Sequence, residues 1–157
     1  MSNLHKVTAE YDRRYLESGI RDLESYLLSE ELYWPVGVSA PAGQPPYPRL
    51  SLGNLLLFRA RLEARRFHLA RTAEFERLDH RMQGIRSRWL SAWRQKAQRE
   101  FSLRLNLWRD FLEDFRQSPA GNIDRYAYEI NRRVILELLE PETASIASTE
   151  RELLSGL

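Results

Sequence analysis

A run of apolar residues with helical spacing, between positions 72 and 117, constrains this chain more than any other feature. Twelve positions form one stripe: Phe75, Leu78, Met82, Ile85, Trp89, Trp93, Ala97, Phe101, Leu105, Trp108, Leu112 and Phe115. They advance 40 residues in 11 steps, or 3.64 residues per step, which is the period of a straight α-helix. The sequence therefore predicts one long helix over residues 72–117, with Gly84 as its weak point. The alternative is a turn within residues 79–84, which would give two helices of similar length and a four-helix bundle.

The length of this predicted helix conflicts with the size of the chain. Its 46 residues would span about 69 Å, whereas a compact domain of 157 residues has a radius of gyration of about 15 Å. We expect either an elongated bundle or a partner that covers the part of the helix that the chain itself leaves bare.

Composition sets the fold class and the compartment. Leu, Arg, Glu and Ala dominate and β-branched residues are few, which favours a single all-α domain. The chain has no cysteine, so disulfides and thiolate chemistry are excluded. No run approaches the roughly 18 apolar residues of a membrane span, and residues 1–6 lack the apolar core of a secretory signal. We expect a cytoplasmic protein that does not enter a membrane.

Three further helices are expected, over residues 8–31, 51–66 and 123–140. Thr8, Ser51 and Asn122 are the predicted N-terminal caps, because short polar side chains accept hydrogen bonds from the first free N–H groups of a helix. Residues 142–157 form a tail that is either frayed or a short terminal helix.

The stretch over residues 32–50 holds five prolines and is predicted to be an irregular loop. Its aromatic residues favour a strap that docks on the bundle and ties the first helix to the second. The alternative is a partner-binding loop that presents a polyproline-type surface. The candidate contact residues are Tyr33, Trp34, Pro45, Pro46 and Tyr47.

The first part of the long helix carries a narrower apolar seam than the rest. Its members alternate at spacings of three and four residues, as on one side of a coiled coil: Phe75, Leu78, Met82 and Ile85. Either the second helix or a second copy of the chain would cover this seam. We favour a homodimer.

Arginine supplies 22 of the 24 basic residues, a bias that genome base composition alone could produce. Residues 51–117 nevertheless carry 15 basic and eight acidic residues, a net charge of +7. A candidate basic stripe for phosphate contacts consists of Arg59, Arg65, Arg66, Arg71, Arg77, Arg81 and Arg88.

Catalytic and metal-binding motifs are absent from the sequence. None of the three histidines has a glutamate three residues before it, as a di-metal carboxylate bundle requires. No glycine-rich phosphate loop occurs, and the Gly37-Val38-Ser39-Ala40-Pro41 segment has proline where a serine elbow needs glycine. We expect no enzyme activity, no metal and no cofactor.

These features lead to a first hypothesis and a rival. The first is a helical scaffold or interaction protein that self-associates and binds another protein. The rival is an accessory nucleic-acid-binding protein that uses the basic stripe. A ligand-binding bundle is a third class, which would require a cavity between aromatic helices.

Overall fold

A computed structural model describes residues 8–65 and 72–143, together with Glu150, Glu152, Leu154 and Gly156. The helices are α1 (Ala9–Leu28), α2 (Leu52–Arg65), α3 (Thr72–Arg88), α4 (Leu90–Gln117) and α5 (Pro119–Leu139), followed by a 3-10 turn over Glu140–Glu142. No strand occurs in these ranges, where the only extended pairing is an isolated bridge between Trp34 and Leu50. The prediction of an all-α bundle with one long helix and an irregular proline-rich loop is confirmed.

Two of the predicted helix caps are present. The hydroxyl of Thr8 accepts a hydrogen bond from the N–H of Tyr11 at 3.0 Å, and the hydroxyl of Ser51 accepts one from the N–H of Asn54 at 3.1 Å. Helix α1 ends at Leu28, three residues before the predicted end. Its last turn is closed by Ser29, whose N–H and hydroxyl both donate to the carbonyl of Tyr26.

The long apolar segment is divided at one residue into α3 and α4. Helix α3 runs without interruption through residues 79–84, so the alternative turn there is not formed. The interruption is Trp89, with φ −118° and ψ 41°. Hydrogen bonds from Trp89 N–H to the Ile85 carbonyl (3.0 Å) and from Trp93 N–H to the Trp89 carbonyl (2.9 Å) continue the helical pattern across it. Because only one residue departs from helical geometry, the apolar period is the same on both sides.

A tight hairpin joins α4 to α5. Ser118 ends one helix, and Pro119 occupies the first position of the next, where its missing N–H costs nothing. The predicted start at residue 123 is therefore wrong by four residues. The side chain of Asn122 instead donates to the carbonyls of Asp114 (3.1 Å) and Ser118 (2.9 Å), so it satisfies the C-terminus of α4.

The five helices enclose one main core. Helix α1 packs against α2 and α3, and α2 and α4 each pack against α5. The largest fully buried side chains in this core include Trp93, Tyr26 and Phe101. Of the predicted tail, Glu142 ends the 3-10 turn, and Glu150, Glu152, Leu154 and Gly156 are helical. Leu154 is buried in the core. In the described helices, no segment combines the length and apolar character that crossing a membrane requires.

Candidate functional site

The proline-rich loop is tied to the bundle by its two large aromatic residues. Backbone hydrogen bonds of 2.8 Å join Trp34 and Leu50 in both directions, and the Trp34 ring packs edge-on against Tyr26. The Tyr47 hydroxyl donates to the Tyr11 carbonyl at 2.8 Å, and the centroids of the two rings are 4.6 Å apart. This is the arrangement expected of a strap.

The other predicted loop contacts differ in exposure. Tyr33 is half-buried, with the guanidinium of Arg104 6.0 Å from its ring centroid, whereas Pro45 and Pro46 are exposed. A partner-binding role for the loop stays a prediction, and Pro45 and Pro46 are the two of its candidate contact residues that are exposed.

The candidate self-association seam is covered by the chain itself. Phe75, Leu78 and Met82 are buried in the main core, and Ile85 is half-buried against it. Helix α1, which the sequence did not assign to this position, lies along α3. The seam therefore presents no continuous apolar face to a second copy.

The candidate basic stripe does not form a row of free cations. Arg59 bonds the carboxylate of Asp79 at 2.7 Å, and this hydrogen bond is the main reason that the pKa of Arg59 is raised. Arg65 lies 3.5 Å from a carboxylate oxygen of Asp12. Three members lie on the surface of α3: Arg77, Arg81 and Arg88. Two members, Arg66 and Arg71, lie outside the described residues.

A buried polar centre that sequence analysis did not identify joins α2 to α4. One carboxylate oxygen of Glu100 accepts the N–H of Gly53 at 2.8 Å. The other accepts the hydroxyl of Ser51 and the Nε of Arg104, both at 2.7 Å. Glu100 is fully buried, and it lies at the N-terminus of α2, where free N–H groups and the helix dipole favour an anion.

Two sequence signals could have revealed this centre. Glu100 and Arg104 are four residues apart and resemble an ordinary surface ion pair, but both fall on the apolar stripe of α4 beside Phe101. The second signal is Gly53 in the first turn of α2, next to the buried Leu52. A Cβ at that position would lie 2.5 Å from a carboxylate oxygen of Glu100, so a close approach requires glycine there.

Beside this centre, a cleft of about 270 Å³ opens between α2, α4, α5 and the loop. Its charged and amide groups come from all three helices. They are Asn54 and Arg61 of α2, Arg104 of α4, and Glu129, Asn131 and Arg132 of α5. Pro48 and the rings of Tyr11 and Phe58 supply an apolar wall. A second cavity of similar volume lies between α1, α2 and α3, and its walls are mainly apolar.

Each arginine of the cleft is held by a carboxylate. Arg61 donates to Asp12 at 2.7 Å, Arg104 to Glu100, and Arg132 to Glu129. Burial is the largest influence on Asp12 and raises the pKa of its carboxyl, although Arg61 and Arg65 act in the opposite direction. The guanidinium groups are thereby fixed in position before any ligand arrives.

One side of α5 remains open to solvent. Its exposed fractions are 64% for Ile123, 45% for Tyr126 and 41% for Val134. The spacing of apolar residues in the sequence of α5 predicts a face broad enough to be buried on two sides, and Ile123 and Val134 lie on it. Ile135 and Leu136, on the opposite side, are buried. On the open side, Tyr126 still packs against α4, with its ring centroid 5.7 Å from that of Phe115, and Ile130 packs against the core.

In the part of the chain that the structure describes, the fold is an all-α bundle with a docked proline-rich loop and a buried polar centre. No protein-family model matches the chain, and the searches of curated proteins and of solved structures returned no match. Among the residues that the structure describes, no three histidine or acidic side chains are grouped as a metal site would require.

Proposed function

We propose that this protein is a helical interaction module that self-associates through the open side of α5. The observation that carries the proposal is the exposure of Ile123, Tyr126 and Val134, side chains that are mostly buried in folded domains. We call this surface the α5 face, and it also includes the half-buried Ile130.

The members of the α5 face share one side of the helix. They are spaced three, four and four residues apart, as neighbours on a helical surface are. The two ends of the face are 11 residues apart along the helix, or about 16 Å. Contiguous apolar patches on the surface of a folded protein mark interaction sites.

A second copy of the chain fits the spacing of this face. Ile123 and Val134 lie at its two ends, with Tyr126 and Ile130 between them, so the pattern is nearly symmetric about its middle. Antiparallel pairing of two α5 helices would place Ile123 of one chain opposite Val134 of the other. A two-fold interface requires this kind of self-complementarity.

The sequence indicated the α3 seam for a second copy and the loop for another protein, and both surfaces support an interaction less well. The seam on α3 is buried in the monomer, and the loop rings of Trp34 and Tyr47 pack on α1. The α5 face holds three of the six large hydrophobic residues that are exposed in the described part of the chain, so the proposal moves to it.

The test is the oligomeric state, measured by sedimentation or light scattering over a range of concentrations. We expect a dimer for the wild-type chain and a monomer for the double variant Ile123→Glu/Val134→Glu, since charges on both ends of the face would be buried on pairing. Leu28→Glu is the matched control, because Leu28 is 57% exposed on α1. A monomeric wild type, or a dimer that survives the double variant, would contradict the proposal.

A second candidate function is accessory nucleic-acid binding. It rests on Arg77, Arg81 and Arg88, which are exposed and lie on one side of α3. Fluorescence anisotropy with labelled duplex DNA should show an affinity that falls steeply with salt. The triple change of these arginines to Gln should remove that dependence, whereas changing Arg94, Arg109 and Arg116 should not. An affinity that does not change with salt concentration would contradict this hypothesis.

A further inference from the structure

We infer that the cleft between α2, α4 and α5 binds a small organic oxyanion, a carboxylate or phosphate carried on an apolar body. The cleft faces α2, whereas the α5 face lies on the other side of α5, so the inference is independent of self-association.

The side chains that line the cleft are more basic than acidic, although the carboxylates behind them balance the total charge. Three guanidinium groups line it, from Arg61, Arg104 and Arg132, against one carboxylate, from Glu129. Two further carboxylates, Asp12 and Glu100, are buried behind the arginines and orient them. The planar guanidinium fork matches the geometry of carboxylate and phosphate oxygens.

Two of these arginines have N–H groups that the protein does not satisfy. The Nε of Arg61 is buried without a hydrogen-bond partner. Arg104 donates from Nε to Glu100 and from Nη2 to Asn54, and its Nη1 makes no hydrogen bond to any described residue. A donor without an acceptor is destabilising where it is buried, as the Nε of Arg61 is. Arg104 lines the cleft, so a bound oxyanion would supply an acceptor to its Nη1.

The opposite wall accommodates an apolar group. The ring centroids of Tyr11 and Phe58 are 5.8 Å apart, and Pro45 and Pro48 complete this wall. The guanidinium of Arg61 lies over the Phe58 ring at 4.3 Å, which holds the cation at the boundary between the charged and apolar parts of the cleft. A ligand with a flat apolar body and one anionic end would contact both walls.

The size of the cleft limits the ligand. A volume of about 270 Å³ corresponds to about nine water molecules of liquid. This is sufficient for a ring with one anionic substituent. It is too small for a folded polypeptide or a duplex, so the cleft is a site for a small molecule.

The inference can be tested by isothermal titration calorimetry in low-chloride buffer with four probes: phenyl phosphate, benzoate, inorganic phosphate and benzyl alcohol. We expect phenyl phosphate or benzoate to bind, and the tighter of the two identifies the anionic group. Equal binding of benzyl alcohol would overturn the requirement for an anion. Equal binding of inorganic phosphate would overturn the requirement for an apolar body.

Two variants test whether the ligand binds in the cleft. Arg132→Gln should weaken binding by about tenfold or more, because a hydrogen bond to a charged group is lost. The matched control is Arg109→Gln, at an exposed position on α4, which should bind as the wild type does. Asn131→Trp retains every charge but obstructs the rim of the cleft, so it decides the question if Arg132→Gln does not fold. Unchanged affinity in the folded variants, or no binding by phenyl phosphate and benzoate, would refute the inference.

Discussion

Glu100 is the residue on which the junction of α2 and α4 depends. Its carboxylate accepts hydrogen bonds from Ser51, Gly53 and Arg104. All three donors are buried, so none of them can exchange this partner for water. A buried charge of this kind is stable only while its partners remain in place.

We therefore expect Glu100→Ala to lower the free energy of unfolding by about 3–5 kcal/mol, because the Arg104 cation would remain buried without its counter-charge. Urea denaturation at neutral pH would measure the loss. Glu113→Ala, at an exposed site on the same helix, should change stability by less than about 0.5 kcal/mol. Similar effects from both substitutions would show that Glu100 is not a structural centre.

Two buried tyrosines make stability depend on pH in the alkaline range. The hydroxyl of Tyr15 donates to the Arg49 carbonyl at 2.9 Å, and that of Tyr26 donates to the Leu32 carbonyl at 2.8 Å. Burial, and next the nearby charge of Glu100, raise the pKa of both phenols above the ordinary value. In the unfolded chain both would ionise near pH 10.

Above pH 10 the folded state consequently binds more protons than the unfolded state. The stability linked to these protons is fully present below that pH and is lost as the pH rises towards the folded pKa values. We expect each phenol to make the free energy of unfolding fall by a further amount of about 1.4 kcal/mol per pH unit. Urea denaturation of Tyr26→Phe between about pH 9 and pH 11 should show a shallower decline than the wild type. Parallel declines would contradict the role of Tyr26.

At the scale of the elements, two glycines within helices have opposite roles. A Cβ at Gly53 would lie 2.5 Å from both a Glu100 oxygen and the Cγ2 of Ile135, whereas a Cβ at Gly84 would meet nothing within 4 Å. Gly53 thus allows α2 to approach α4 and α5. Gly84 only weakens α3, because glycine in a helix interior loses more backbone freedom on folding than alanine does.

The two positions form a matched pair of substitutions. Gly53→Ala should destabilise the protein by about 1–3 kcal/mol through overpacking, although alanine is the better helix former. Gly84→Ala should stabilise it by about 0.5–1 kcal/mol. Thermal and urea unfolding would measure both changes. A stabilising Gly53→Ala would show that α2 does not pack as closely as the structure indicates.

The division between α3 and α4 shows where local patterns lose their predictive power. The apolar period continues across Trp89, so nothing in the spacing marks a break there. In the structure, the indole of Trp89 donates to Glu24 of α1 at 2.6 Å, and that of Trp93 donates to Glu142 at 2.8 Å. Both contacts join residues that are distant in sequence, so no pattern within residues 72–117 could have indicated them.

At the scale of the whole molecule, the C-terminal segment belongs to the folding unit. Leu154 is buried in the main core, and Glu150 accepts a hydrogen bond from the hydroxyl of Ser102 on α4 at 2.6 Å. Glu150 and Leu154 therefore contact the rest of the fold, the first on α4 and the second in the core.

We expect Leu154→Ala to lower the free energy of unfolding by about 2–5 kcal/mol, as for other buried leucines. Glu152→Ala, at an exposed position of the same segment, should have little effect. Global unfolding followed by circular dichroism would compare the two variants. An unfolding transition that is insensitive to Leu154→Ala would mean that the segment does not contribute to the core.

Much of the architecture could be predicted from the sequence, but little of the candidate cleft. Helical spacing, the caps at Thr8 and Ser51, and the prolines of the loop indicated the elements, because each depends on residues a few positions apart. The cleft combines Arg61 with Arg104 and Arg132 from three helices. Only the packing of α2, α4 and α5 brings these arginines together.

The sequence by itself determined which segments are helical and which of their residues are apolar, since backbone hydrogen bonding and side-chain periodicity are local. Only the tertiary structure decided which apolar faces are covered. The α3 seam lies against α1, whereas the face that contains Ile123 remains open. It also decided that Glu100 and Arg104 form a buried pair, because the desolvation of a charge depends on the elements that pack around it.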